Sequence, residues 1–478
     1  MLATVAFAFT ACGGTRTALD ESTPTTIAVL TDQNPDPKIV EVSLVAGTAV
    51  LEYLEGKPLE VFAYRDGAKD GAVGQVPGPA LEAHVGDQVI VHYRNDLAVN
   101  TTVHWHGLQL PNASDGTPSS QMVVPPAGTF TYSFVAQDAG TFWYHPHVEA
   151  DVLIEKGLYG PVRILSADEP AASADRIFVL DDVKLTADGQ FSAITDALDV
   201  MLGRQGNVLL VNGMVRPSVS VKAQTRERWR FINTANGRYF NLTLGGRPFW
   251  VIGWDGGLLP RPYVTTSLVI APGERYEVLV KFAASDAHQS LVLQTVHYDR
   301  GHDIPDPGPL DLLAVRVAGV GSDPPADMDA PFTVPTWTPL PVVETTPVRK
   351  FELKEEEGKA FPRFFINDEA FPHNTPITGT EGEIAIWEIH NETEMDHPFH
   401  LHGMFFQVLD LNGIPPLQQG HKDTINVPQK SKLRFAVKYG PTGNWMYHCH
   451  ILEHAERGMM GELRIGTPAA GMAHQPHP

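Results

Sequence analysis

Four pairs of histidines, each pair spaced by a single residue, carry the chemistry of this chain: His104-Trp105-His106, His145-Pro146-His147, His400-Leu401-His402 and His448-Cys449-His450. Side chains at i and i+2 of a β-strand point to the same face, so each pair presents two imidazoles side by side. Together they offer eight potential nitrogen ligands for metal ions. One such pair is commonplace on a surface strand, but four arranged as a repeat are not. Cys449 sits between His448 and His450, so on a strand its sulfur points away from the face that carries both imidazoles. Two separate metal centres can therefore share one tripeptide. The sulfur side needs two more histidines and a weak axial ligand, the trigonal set that selects copper for electron transfer, and His397, His454 and Met459 fit that role. Zinc is the competing metal. Its sites favour Cys-rich tetrahedral spacing, and it would leave the paired histidines unexplained.

The elements that position these residues form a two-part repeat. His104-Trp105-His106-Gly107 is followed by Trp143-Tyr144-His145-Pro146-His147, and His400-Leu401-His402-Gly403 by Met446-Tyr447-His448-Cys449-His450. The region between has scattered histidines (His288, His297, His302) and no such pair, which suits a unit that separates or braces the other two. A length of 478 residues accommodates three units of roughly 130 to 150 residues. Helical periodicity is scarce. Alternating runs such as Gln88-Val-Ile-Val-His-Tyr and Tyr276-Glu-Val-Leu-Val-Lys-Phe recur between turn residues, and 42 Gly and 39 Pro punctuate the chain. This predicts an all-β fold of antiparallel sandwiches or Greek-key barrels, without crossover helices. Composition shifts divide it into a leader and linker (1–37), a first domain (38–168), a second (174–318), a Pro-rich connector (319–348), a third domain (349–467) and a tail (468–478).

A formal net charge of −21 argues against nucleic acid as a partner, because a phosphate backbone is bound by clustered Lys and Arg. The two cysteines, Cys12 and Cys449, lie in unlike surroundings and are not expected to pair. The apolar leader ending at Phe9-Thr10-Ala11-Cys12 reads as the tail of a secretory or lipoprotein signal. It predicts export to the periplasm or cell surface, with Cys12 as a lipid attachment point. His474 and His477 belong to the tail, where an unstructured end is the simpler reading than a metal trap.

The segments HWHG, YHPH, HPFHLHG and HCHILEHAERGMM resemble those of the multicopper oxidases, a family that includes laccases and bacterial copper oxidases. The resemblance spans nearly the whole chain after its leader, in the family's order and internal spacing. It implies three cupredoxin domains and four copper ions. Residue by residue, a type 1 copper would be held by Cys449, His397 and His454, with Met459 axial. A type 2 copper would take His104 and His400. A type 3 pair would take His106, His145, His147, His402, His448 and His450. The implied reaction passes electrons from a reducing substrate through Cys449 to His448 and His450, and reduces dioxygen to water.

That reduction consumes protons, so nearby acids matter. Asp115, in Ser114-Asp115-Gly116, matches an acid that family members keep beside the type 2 and type 3 coppers. Similar bacterial enzymes also carry a glutamate directly after the second type 1 histidine, where this chain has Ala455; Glu453 and Glu456 are the candidates to replace it. Asp396 and Asp423 are candidates to orient ligating imidazoles. The donor expected is a phenol or aromatic amine, delivering electrons at an exposed edge of His454 or His397. The alternative is cuprous ion or another metal, although 11 Met and no Met-rich insertion speak against it. A non-catalytic scaffold would have lost ligands, and a copper nitrite reductase would lack the eight-histidine arrangement.

Overall fold

The structure, a computed structural model, describes residues 26–193, 197–302, 304, 306–320, 332–356 and 361–467. Cys12, His474 and His477 lie outside the described residues. The strands follow the alternation of the sequence. In Gln88–Asn95 the inward positions are Val89, Val91 and Tyr93, and in its antiparallel neighbour Thr129–Val135 they are Tyr132 and Phe134.

Among the described residues, six sheets pair into three sandwiches. Two four-stranded sheets use strands between Ile39 and Leu165, a six- and a five-stranded sheet use strands between Asp175 and Val320, and another six and five use strands between Val348 and Ile465. The predicted antiparallel pairing dominates, but each sandwich also holds parallel neighbours in both of its sheets. The first has Ile39–Leu54 beside Gln88–Asn95 and Leu81–His84 beside Gly160–Leu165. The same two pairings recur in the second sandwich and in the third. A Greek-key chain that crosses between sheets returns beside an earlier strand in the same direction, and hydrophobic alternation carries no information about that direction. The strand Leu310–Val320 runs two residues into the segment expected to connect the second and third domains, and Val348, its last expected residue, opens the next strand.

The motif strands are built alike. His104–His106 lies antiparallel to Gly140–His145, with His104 opposite His145. His397–Leu401 lies antiparallel to Gly443–Cys449, with His400 opposite His448. The residue inside each pair faces the core: Trp105 packs on Tyr132, Phe134 and Tyr144, and Leu401 is fully buried. One continuous hydrophobic core runs through the first and third sandwiches, whereas the second keeps its own around Phe178, Trp229, Phe231 and Phe282. The histidine-bearing domains are thus docked as one body.

A buried charge cluster ties the middle domain to the first. The Glu277 carboxylate is 1% exposed. It accepts from Arg228, from Arg230 at 2.9 Å and from the Thr141 hydroxyl at 2.5 Å. Burial alone would raise its pKa, but Arg228 and Arg230 outweigh it and hold the carboxyl at about 2. A folded-state value below the unfolded one means the contribution is present above about pH 4.5 and lost as pH falls through about 2; it amounts to roughly 3 kcal/mol. Glu277→Gln removes the fully buried counter-charge that Arg228 and Arg230 share and leaves them only the more exposed Glu169 and Asp175, and the expected loss is about 3 kcal/mol at neutral pH. Urea unfolding across a pH series checks this: the gap between wild type and variant should narrow as pH falls below 4.

Candidate metal centres

Three groups of imidazoles converge where the first and third domains meet. His104, His106 and His400 form one, His106, His145 and His450 a second, and His147, His402 and His448 a third; within each, the ligand atoms lie within 4.8 Å of one another. Rings from the two domains stack across the junction, His106 on His400 at 3.8 Å and His104 on His402 at 3.9 Å between centroids. A fourth group, His397, Cys449 and His454, lies on the other side of the 448–450 tripeptide. Cys449 Sγ is 3.4 Å from His397 Nδ1 and 3.7 Å from His454 Nδ1, while His448 Nε2 is 3.1 Å from His402 Nε2 and 3.4 Å from His147 Nε2.

The chain fixes which ring nitrogen is free. His104 Nδ1 donates to the Asp115 carbonyl, His400 Nδ1 to that of Asp423, His145 Nδ1 to that of Pro146 and His448 Nδ1 to that of Cys449. A carbonyl only accepts, so each of these nitrogens carries the proton, and the opposite Nε2 keeps its lone pair. His106 is turned round. Its Nε2 donates to the Thr424 hydroxyl at 3.0 Å, which spends its own proton on Asp423, and Nδ1 is the free atom. The freed atoms His104 Nε2, His106 Nδ1, His145 Nε2 and His400 Nε2 are buried and have no hydrogen-bond partner, as are both nitrogens of His450. His402 donates from Nδ1 to the Asp115 carboxylate at 3.1 Å, so two lone pairs, on His402 Nε2 and His448 Nε2, face each other at 3.1 Å. Buried, unsatisfied lone pairs aimed at common points require cations between them.

Burial acts in the same direction. It holds His106, His145, His147, His402, His450 and His454 well below the usual imidazole range, and His397 and His448 at about 3. The rings stay neutral and able to ligate. Burial also pushes the Cys449 thiol up, so a metal ion has to displace its proton to form the thiolate. At this fourth group, His454 Nε2 donates to the Met201 carbonyl at 3.1 Å and His397 Nε2 to the Thr393 hydroxyl at 2.8 Å, which turns both Nδ1 lone pairs toward the sulfur. Met459 accepts the Cys449 N–H with its carbonyl and donates its own N–H to the carbonyl of His454, both at 3.0 Å, and it shares a core with Cys449. Met460 packs elsewhere, with Met446, Ala455 and Phe371.

The expectation of an exposed imidazole edge does not hold. His397 and His454 are both 0% exposed. The short helix Ala197–Met201 of the middle domain covers the Nε2 edge of His454, and Phe364 stacks on its ring at 3.9 Å. Neither covering residue is near the motif in sequence. Asp396 supports no imidazole through its side chain; it accepts from Tyr298 Oη, Asn426 Nδ2 and the Gln429 N–H. Asp115 is buried against His402 and His104. Glu453 accepts from the Arg204 N–H and Asn236 of the middle domain, and Glu456 from the Ala150 N–H of the first. Burial, with Asp151 nearby, raises both glutamates to about 7.

The middle domain supplies groups that the motifs do not announce. Arg275 donates through both terminal nitrogens to Asp423 at 2.6 Å, and Asp423 in turn lies 3.3 Å from His106 Nε2 and 3.6 Å from His400 Nδ1. Arg275 holds Asp423 ionised, well below the usual carboxylate range, against the opposing effect of burial. Gly273 touches the cluster as well: its φ is +84°, and a Cβ there would fall 2.8 Å from the His450 ring. The only sequence signal for Arg275 is a charged residue at an inward position of the strand Arg275–Phe282.

Models of the multicopper oxidase family match residues 68–169, 184–301 and 343–468. A multicopper oxidase of Staphylococcus epidermidis is 30% identical over 418 residues, 83% of each chain. Among solved structures, a laccase of Pediococcus acidilactici superposes with a TM-score of 0.80 at 31% identity, covering 94% of this chain and 95% of that one. A Campylobacter jejuni multicopper oxidase described as a metallo-oxidase does so with a TM-score of 0.80 at 27% identity, covering 92% and 94%. The fold, the converging imidazoles and these matches place this chain in the multicopper oxidase family. It is an oxidoreductase whose cofactor is copper.

Arg275→Met removes the counter-charge of Asp423 and with it the support of His106 and His400. Copper bound by the imidazole groups is expected to weaken about 10- to 100-fold, while the blue thiolate-to-copper absorption of the Cys449 group stays. Copper analysis after dialysis against a graded chelator, alongside the visible spectrum, checks both.

Proposed function

We propose that the chain is a laccase-like oxidase that couples one-electron oxidation of phenols and aromatic amines to the four-electron reduction of dioxygen to water, using four copper ions. The type 1 ion would be held by His397, Cys449, His454 and axial Met459. The type 2 ion would take His104 and His400. One type 3 ion would take His106, His145 and His450, and the other His147, His402 and His448. The observation that carries this reading is the back-to-back tripeptide: Cys449 faces His397 and His454 while His448 and His450 on either side face the imidazole groups. Only backbone then separates a thiolate centre from the cluster. When bound, copper supplies reversible one-electron chemistry at the thiolate and multi-electron reduction of dioxygen among the imidazoles.

The chain's own groups do the rest. Carbonyls, hydroxyls and the Asp115 carboxylate set the tautomers of most of these imidazoles, and the docked domains exclude water. Asp115 binds His402 on the cluster side and is placed to pass protons there. Glu453 and Glu456, held near neutral by burial, form with Asp151 an acidic group at the junction of the three short helices Ala150–Glu155, Ala197–Met201 and Leu452–Glu456. In this reading they take the place of the glutamate replaced by Ala455.

Oxidation of cuprous or another metal ion is the second reading, supported by the likeness to the Campylobacter jejuni metallo-oxidase. Retention of every ligand position speaks against a scaffold role. We also propose export with lipid attachment at Cys12; among the described residues no helix is long and apolar enough to cross a membrane.

Protein produced with excess copper is expected to hold about four coppers per chain and to be blue, and Cys449→Ser to lose the colour and one copper. Copper-free protein after reconstitution, or colour without Cys449, would overturn the proposal. Oxygen uptake with a panel of phenols and with cuprous ion separates the two readings of the donor. Met459→Leu is expected to raise the type 1 potential in a redox titration, because an apolar residue withdraws the axial thioether.

A further inference from the structure

A cleft of about 590 Å³ opens between the middle and third domains. Its walls are aromatic: Trp254, Tyr263, Tyr276 and Tyr298 come from the middle domain and Trp337 from the connector. Leu417 stands at its lip, 93% exposed. Its floor is charged. Lys422, 5% exposed, lies 3.0 Å from both Asp255 and Glu274, and its ammonium sits 5.1 Å from the Trp254 ring and 5.2 Å from that of Tyr276. Four polar atoms on lining residues are buried without a hydrogen-bond partner: Nε1 of Trp254, Nε1 of Trp337, Oε1 of Gln418, and Nζ of Lys422, which is held by its two ion pairs. Flat aromatic walls over a paired charge match a small aromatic ring bearing hydroxyl and ether oxygens.

One wall of the cleft leads to the thiolate centre. The Tyr298 hydroxyl donates to Asp396 at 2.8 Å, and the next residue in the chain is His397. Asn426 braces this contact, donating to Asp396 at 2.7 Å and to Tyr298 Oη at 3.2 Å. Behind it, Tyr239 stacks on Tyr298 at 5.5 Å with 17° between planes, within the core that holds Cys449. His397 and His454 have no solvent-facing edge, so a donor molecule cannot touch either ligand, and electrons must arrive through intervening groups.

We infer that this cleft binds the phenolic donor and that its electron enters the protein through Tyr298 and Asp396 to His397. The inference rests on the phenol-oxidase reading above. The donor's O–H bond breaks, its proton goes to water at the open mouth of the cleft, and one electron leaves through Tyr298. The type 1 copper is reduced from cupric to cuprous, and the donor departs as an aryloxyl radical.

The test uses the copper-loaded full chain under argon. Guaiacol serves as the donor, and veratrole, its methyl ether with no O–H to oxidise, as a binding probe in calorimetry. Trp337→Ala and Trp254→Leu are expected to weaken veratrole binding about tenfold or more. Tyr298→Phe keeps the ring but loses the contact with Asp396; it should bind veratrole and yet slow the bleaching of the blue band by guaiacol about tenfold in stopped flow. The intensity of that band before mixing reports folding of each variant. If guaiacol bleaches wild type and all three variants alike, or veratrole does not bind wild type, the cleft is not the donor site. If guaiacol fails to bleach wild type at all, the phenol-oxidase reading fails and the inference with it.

Discussion

The structure depends on one constraint: each metal-facing imidazole must present a lone pair in a place where water cannot satisfy it. An isolated histidine exchanges tautomers freely, and in water either nitrogen finds a partner. Here the choice is made by backbone carbonyls at Asp115, Asp423, Pro146 and Cys449, and by the hydroxyls of Thr424 and Thr393. Cys449 lies on the strand that carries His448, and Pro146 directly follows the strand that ends at His145. The register that sets His104 opposite His145 and His400 opposite His448 therefore aligns the rings and helps to select their protonation together.

Such a site is costly to bury, and the cost explains the domain architecture. Neutral imidazoles without partners, and a thiol that burial keeps protonated, destabilise the docked state until cations replace the missing hydrogen bonds. The first and third domains offset this with a shared hydrophobic core. The middle domain contributes no ligand; it contributes charge. Arg275 anchors Asp423, Glu277 gathers Arg228, Arg230 and Thr141, and Lys422 of the third domain sits between Asp255 and Glu274. These are buried, charge-paired networks at the domain boundaries, where a mismatch in docking leaves a charge unpaired. They make the orientation of the domains specific, which a hydrophobic contact alone does not.

What could be read from the sequence was local. The same-face rule applied to His-x-His, and the opposite-face position of Cys449, depend only on strand geometry and residue order, and both describe the arrangement found. The all-β class followed from alternation and turn residues for the same reason. The rest arises from packing between distant segments. Arg275 meets Asp423 across 148 residues, Gly273 leaves room for a ring in another domain, and Met201 and Phe364 close over His454. An acid next to a ligand in sequence, such as Asp396, faced a tyrosine of the middle domain, because it lies just outside the strand His397–Leu401. Parallel strand neighbours were invisible because periodicity is blind to direction.

Closing over His454 has a consequence for how such a protein selects what it oxidises. An electron crosses a few bonded or hydrogen-bonded groups without needing an opening, whereas a proton, a water molecule or a substrate does need one. Sealing His397 and His454 therefore keeps the thiolate centre dry without isolating it electrically. Dryness maintains neutral imidazoles and a low local dielectric, which strengthens every fixed dipole around them. Recognition of the donor is then free to move outward, to surfaces whose shape can vary without disturbing the ligands. Residues at the middle-domain boundary and the connector, rather than the histidine motifs, are where chains of this architecture can diverge in what they accept.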